Sequence, residues 1–410
     1  MVTTEEKSQS RRQFIRALSQ GAGLGVLLSL AFGAGYFFKD YSPLRQTSEI
    51  SLDLINEVDG ILSEHYLYDL PSESVQIHGA AAGLVSSLAE PYTYFVDPEE
   101  AEIDSTNLAG RFGGIGAELG RDEAGNFVIV RVYADNPAAK AGVQDGDIIL
   151  EVDGVPVDTT APDMSDVLAA IRGEIGDSLV LTVRRGEDIL TFDIVRAEIL
   201  IPSTLWELVK DNPQIGYIRI TRFTERSPEE VAQALDELSQ QNARAFIIDL
   251  RDNGGGLVDS AVGVAEQFLD GGVVLYEERS DAQDRVFNAA RGGKALDMPL
   301  VVLINEHTAS ASEIVAGAFQ DRGRAILIGR QSFGKGSVQR IFTLSDGSSL
   351  HVTNAQWFTP NHNRIEQQGL TPDIVTELTE GTDSDMAAAV NYLDDILSAS
   401  SGEVIHSKPF

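Results

Sequence analysis

The chain contains no cysteine. That removes disulfides, thiol nucleophiles and cysteine-based metal sites, and it is compatible with either side of a membrane. Histidine is scarce, 6 residues in 410, and scattered. No cluster has metal-ligand spacing, so no metal and no cofactor is expected. Basic residues are outnumbered, 31 Lys+Arg against 63 Asp+Glu, for a formal net charge of -32. A phosphate backbone requires a positive surface, so nucleic acid is excluded as a partner. The charge fits solubility or exclusion from anionic surfaces.

What is present is ordinary for a globular protein: 43% hydrophobic residues, in a chain long enough for two or three domains. The first ten residues are polar. S-R-R-Q-F-I-R follows at Ser10 to Arg16, then an apolar run from about Ala17 to Phe38. A basic start before a hydrophobic stretch is an export signal, and Arg11-Arg12 followed by Phe14 fits the twin-arginine type. Ala31, Gly33 and Ala34 suit cleavage, while the run extended through Tyr36 to Phe38 is about long enough to span a bilayer. A cleaved signal and an uncleaved anchor both remain. Either places the rest outside the cytoplasm, in the periplasm or cell envelope. Residues 41–50 read as a linker, and helical spacing predicts helices over Ser51–Tyr66 and Ser74–Leu88. Tyr92, Tyr94 and Phe95 read as core aromatics.

From about Phe112 to Ile199 the pattern changes to short strands between glycine turns, with a helix over about Met164–Ile171. Gly113-Gly114-Ile115-Gly116 precedes the strand Ala117–Leu119. Such glycines tolerate unusual φ and close backbone approach. From Ile215 strands and helices alternate. The strand Ala245–Leu250 runs into R-D-N-G-G-G-L, then a helix over about Ser260–Phe268. Glycines at a helix N-terminus expose N–H groups of the kind that hold an oxyanion. A polar, glycine-bearing loop is expected at Arg279–Leu296, and a hairpin turn at Ser345–Ser348.

The stretch Asn305–Gln339 concentrates the chemistry. A hydrophobic strand, Leu300–Ile304, ends in N-E-H-T-A-S-A-S and opens an apolar helix at Glu313–Phe319, an arrangement like a nucleophile elbow. A serine needs a base, and with histidines few, Lys335 is the better candidate. It lies among Phe333, Gly334, Gly336 and Val338, an uncharged setting that fits a partly desolvated amine. Gln339 is placed to orient that amine without holding its charge. Ser312, the rival nucleophile, is expected to cap the helix.

T-A-S-A-S-E-I, F-G-K-G-S-V-Q and L-R-D-N-G-G-G-L, in that combination, resemble the carboxyl-terminal processing proteases, also called tail-specific proteases, over roughly residues 50–378. The A-G-V-Q-D-G-D-I-I-L-E-V-D-G segment resembles a PDZ domain. The resemblance implies an α/β protease core, a mixed sheet with helices, carrying an inserted β-rich PDZ domain after an N-terminal helical region. It implies boundaries at 41–106 for the helical region, 107–199 for the PDZ domain, 200–378 for the core and 379–410 for a C-terminal helix and tail. It implies Ser310 as nucleophile, Lys335 as general base and Gln339 as its orienting partner. The oxyanion hole then falls to N–H groups of Gly255 or Gly256 with Ala311; this chain has Gly254 where the family usually has proline. Gly113, Gly114, Ile115 and Gly116 would hold the carboxylate of a substrate tail. The partners implied are proteins or peptides with a free C-terminus, and in some members a second copy of the chain. Arg172 reads as a surface arginine, or as a sensor of bound peptide. Two other readings stand beside this one: a Ser–His hydrolase using His307 or His351, and a peptide-binding scaffold with an inactive core.

Overall fold

The computed structural model describes residues 51–157, 159–160, 164–280, 282–379 and 381–402. The stretches expected as an export signal or anchor, 1–40, and as a linker, 41–50, lie outside these residues. No helix among the described residues is long and apolar enough to cross a membrane. The described residues divide into two units between Gln76 and Ile77. In the first, α1 (Asp53–His65) carries an exposed apolar stripe that includes Ile55, Val58 and Ile61. α2 (Glu73–Ser86) follows in sequence.

The second unit continues with β1 (Tyr94–Val96) and α3 (Pro98–Ala109), neither expected from the sequence. Pro98 sits in the first turn of α3, with Glu99 and Glu100 beside it, and Gly110 closes the helix at φ 69°. These are strong start and stop signals. β2 (Arg111–Gly114) follows and pairs with β9 (Ala197–Leu200) as a two-stranded ribbon. Between those two strands lie β3 (Ala117–Arg121), β4 (Phe127–Val132), α4 (Pro137–Ala141), β5 (Ile148–Val152), β6 (Val155–Pro156), α5 (Ser165–Ile171), β7 (Ser178–Arg185) and β8 (Asp188–Val195). Their sheet runs β3-β4-β5-β7-β8 with β6 on β5, and β3 is an end strand. Its own core gathers Phe127, Ile129, Ile149, Leu179, Leu181 and Ile194. The buried Arg196 guanidinium donates to the carbonyls of Ala170, Ile171 and Ser178, and so satisfies the C-terminal end of α5.

The remainder is built on β10 (Thr204–Val209), β11 (Asn212–Ile220), α6 (Ser227–Gln240), β12 (Ala245–Asp249), α7 (Val258–Ala265), β13 (Val273–Arg279), β14 (Arg285–Asn288), β15 (Leu300–Ile304), α8 (Ala311–Asp321), β16 (Ile326–Gly329), β17 (Ser337–Thr343), β18 (Ser349–Phe358), β19 (Ile374–Val375) and α9 (Ser384–Gly402). One sheet runs β10-β11-β12-β15-β16-β19, parallel from β11 onward. β12 and β15 are buried at every position, as strands covered on both faces must be. Alternation along them is visible in the packing: Phe246, Ile248, Val302 and Ile304 join the core with α6, α7 and α8, while Ile247, Val301 and Leu303 face α9 through Ala389 and Leu393. Arg251 fastens the start of α9, bonding Asp249, Asp383 and Asp385.

The second sheet runs β1-β18-β13-β14, with β17 also on β18. β14 occupies part of the stretch expected as a loop at 279–296. Its four residues are mostly exposed and gave too short a pattern to register as a strand. The carboxyl ends of β12 and β15 lead into the two segments that matter chemically, 250–257 and 305–310. A crevice beyond the carboxyl ends of parallel strands is where such sheets bind ligands.

Candidate active site

Ser310 stands at the junction of β15 and α8 with φ 56° and ψ -117°, a conformation that costs a non-glycine residue about 1–3 kcal/mol. It is held by its own backbone: the Ser310 N–H donates to Glu313 Oε2 at 2.8 Å. Ser310, and not the expected Ser312, is the N-cap of α8, which starts at Ala311. Ser312 is fully buried, and its hydroxyl donates to the Asn253 carbonyl at 3.0 Å. The T-A-S-A-S run thus separates a strained serine at the turn from a structural one.

Lys335 lies in an extended loop before β17. Its Nζ donates to Gln339 Oε1 at 3.0 Å, its backbone N–H donates to Glu313 Oε2 at 2.9 Å, and its carbonyl accepts from Trp357 Nε1 at 3.0 Å. Burial pushes the Lys335 amine below its ordinary pKa, against the pull of Glu366, Glu90 and Glu313. Glu313 joins the two segments. Its Oε1 accepts from Ser332 Oγ and the Gly334 N–H, and its Oε2 from the N–H groups of Ser310 and Lys335. Burial pushes its carboxyl above the usual carboxylate range, opposed by these donors.

Ser310, Lys335 and Gln339 line one cavity of about 410 Å³, together with Gly254, Gly255 and Gly256. Ala311 is the first residue of α8, so its N–H belongs to the donors that a helix leaves unpaired. The two glycines differ. The Gly255 N–H donates to Asn253 Oδ1 at 2.9 Å. Among the described residues the Gly256 N–H has no such partner. Its φ of 146° and its carbon, where an added Cβ would come within 2.0 Å of the Phe223 carbonyl, require glycine. Asn253, not singled out from the sequence, orders this turn; its Nδ2 also donates to the Ile220 carbonyl at 2.8 Å.

Two aromatics read as core belong here instead. Tyr94 lines the cavity and stacks on His351 at 4.5 Å, and the Tyr92 ring lies 5.0 Å from Lys335 Nζ. The histidines separate. His307 is 68% exposed and bonds Asp252 through Nδ1 at 3.0 Å, and it does not line the cavity. His351 does line it, buried, its pKa lowered by burial and its Nε2 without a partner.

The glycine turn at 113–116 is partly strand. Gly113 and Gly114 pair with Glu198 and Ala197 in the β2–β9 ribbon, and Gly116 takes φ 72° against Asn136. Arg172 is not a plain surface residue. It follows α5, and its guanidinium lies 4.8 Å over the Phe112 ring.

A family profile described as Peptidase family S41 matches residues 214–376, and one described as PDZ domain matches residues 128–185. The chain is 35% identical over 322 residues to a carboxyl-terminal-processing protease of Synechocystis, covering 77% of this chain and 75% of that one. It is 33% identical over 350 residues to the carboxy-terminal processing protease CtpA of Bacillus subtilis, covering 85% and 72%. Among solved structures it is similar to a photosystem II D1 C-terminal processing protease, at 28% identity and a TM-score of 0.45, over 79% of this chain and 87% of that one. The molecule is a serine endopeptidase, an α/β protease core carrying a PDZ domain. The chain belongs to the carboxyl-terminal processing proteases of peptidase family S41.

Proposed function

We propose that the protein cleaves peptide bonds through a Ser310–Lys335 dyad and selects substrates by their C-terminal tails. The observation that carries this reading is the placement of Ser310 and of a partly buried Lys335 amine, hydrogen-bonded to Gln339, on one cavity. Neutral Lys335 takes the Oγ proton as Ser310 attacks the scissile carbonyl. The oxyanion is met by the N–H groups of Gly256 and Ala311. The resulting ammonium gives its proton to the leaving amine as the C–N bond breaks. Water, deprotonated by the same amine, then opens the acyl ester and restores Ser310. His307, engaged with Asp252 away from the cavity, does not favour the Ser–His reading.

Tail capture is assigned to β3 and the turn before it. The outer edge of an end strand takes a peptide as an added strand, and β3 is such a strand. The exposed apolar stripe of α1 is assigned to contact with a second copy of the chain. The N-terminal sequence assigns the protein to the extracytoplasmic side, by export or anchoring.

The test is turnover of a disordered protein by the full chain, with free or amidated substrate C-termini, in wild type and Lys335→Ala. Cleavage by wild type alone, slowed by amidation, supports both parts. Undiminished cleavage by Lys335→Ala removes the dyad. Tail binding without cleavage in wild type favours the scaffold reading. Fractionation of cells expressing Arg11→Lys/Arg12→Lys tests the export route.

A further inference from the structure

Tyr92 comes from the loop between α2 and β1, far from Lys335 in sequence, yet its ring is the aromatic surface under the lysine amine. Nζ lies 5.0 Å from the ring centroid while donating to Gln339 Oε1 at 3.0 Å. The loop is stitched in place at one residue of β18. Glu90 Oε1 accepts the Tyr92 N–H at 3.0 Å, and Glu90 Oε2 accepts from Thr353 Oγ1 at 3.1 Å. Thr93 Oγ1 accepts the Thr353 N–H at 3.1 Å. Thr353 is also the cross-strand partner of Gln339. The two groups that touch the amine, ring and amide, are thus registered against each other through Thr353.

We infer that Tyr92 is a positioning residue for Lys335, which seats the amine beside Gln339 and favours the ammonium formed when Lys335 takes the Ser310 proton. The inference rests on the reading of Lys335 as general base. Its physical basis is the negative face of the ring, which attracts a cation placed over it. The phenol stays neutral, because burial and the charges of Glu366, Glu90 and Glu313 push its pKa up. A carboxylate at this place would hold the lysine charged and useless as a base. A neutral ring attracts the cation far more weakly, so burial still dominates in the resting enzyme. The attraction then acts where it counts, on the charge that develops during attack. The charged and titratable groups around the amine are Glu90 from the same loop, Glu313 from α8, Glu366 from the segment before β19, and His351 from β18. Glu313 and Glu366 are occupied by backbone N–H groups, the latter by that of Gly336 at 2.8 Å. None of the three carboxylates is recorded in an ion pair with Nζ among the described residues.

The experiment follows turnover of a disordered protein by the full chain across pH in wild type, Tyr92→Phe, Tyr92→Leu and Lys335→Ala. Tyr92→Phe keeps the ring and is expected to keep both rate and pH midpoint. Tyr92→Leu is expected to lower kcat about three- to thirty-fold with KM little changed. It also moves the ascending midpoint of kcat/KM down by about half to one and a half pH units, because burial persists without the ring. Direct NMR titration of Lys335 in Ser310→Ala, with and without Tyr92→Leu, reads the same shift independently of turnover. A Tyr92→Leu variant with wild-type rate and midpoint overturns the inference, as does a Tyr92→Phe variant as impaired as Tyr92→Leu. If Lys335→Ala retains turnover, the base assignment falls and this inference falls with it. If Lys335→Ala is dead while Tyr92→Leu is unaltered, the base assignment stands and only the role of Tyr92 is lost.

Discussion

The backbone N–H groups of Ser310 and Lys335 converge on a single atom, Oε2 of Glu313, at 2.8 and 2.9 Å. The backbones of the proposed nucleophile and its base are therefore tied together by one buried carboxylate. Glu313→Gln keeps the shape but turns one acceptor into a donor, so at least one N–H loses its partner. An unpaired buried donor costs about 1–3 kcal/mol, and misplacing reacting groups by about 1 Å costs on the order of 100-fold in rate. Glu313→Gln is expected to lower kcat on that scale while lowering the melting temperature by only a few degrees. Turnover assays with calorimetry check both.

Ser310 and Ser312 should respond in opposite ways. Ser310→Ala abolishes turnover and leaves the fold intact. Ser312→Ala leaves the Asn253 carbonyl without its hydroxyl donor, at a cost of about 1–2 kcal/mol, and retains most activity. Denaturant midpoints and turnover on the two variants separate the roles.

Burial lowers the Lys335 pKa from its ordinary 10.5, and turnover needs the neutral amine. kcat/KM is expected to rise with pH with a midpoint below 10.5. Stability follows from the same shift. Between the folded and unfolded pKa values the unfolded chain binds more protons, so the contribution of Lys335 to stability rises with pH through that window. Below the window it is at its least favourable. Lys335→Met should therefore gain stability relative to wild type at neutral pH, and the gain should shrink as pH approaches 10.5. Denaturation midpoints across a pH series read this difference.

Consecutive glycines at 254–256 are not equivalent. A Cβ at Gly254 meets nothing within 4 Å, whereas at Gly256 it would stand 2.0 Å from the Phe223 carbonyl. Gly254→Ala is expected to be tolerated, with a gain of about 0.4–1 kcal/mol from the stiffer unfolded chain. Gly256→Ala is expected to lose activity and several degrees of melting temperature. Calorimetry and turnover on the pair distinguish the two.

The residues of the site differ in how they could be read. Ser310, Lys335 and Gln339 sit in short local motifs whose chemistry is carried by residue type, so the sequence alone singles them out. Glu313 was legible in principle: a Ser followed three positions later by Glu is a capping signal, but Ser312 directly before it competes as an N-cap. α3 likewise carried Pro98 and two glutamates at its start. Tyr92 was not legible, because its contact with Lys335 depends on the pairing of β1 with β18, which no local pattern records. The hydrogen bond from the Gly255 N–H to Asn253 was equally hidden, since it turns on where the Asn253 side chain points. β14 was too short and too exposed to show a period.

The β2–β9 ribbon has a further consequence. The chain enters the PDZ domain along β2 and leaves along β9, and the last rung pairs Gly114 with Ala197. Both crossings are thus one paired strut, whose ends lie as close together as the arms of a hairpin. A tight two-residue turn closes such a gap, so everything between Gly114 and Ala197 is topologically a cassette. The parallel sheet and the loops that carry Ser310 and Lys335 receive no strand from it. Lineages could exchange, duplicate or lose the recognition module without rethreading the protease.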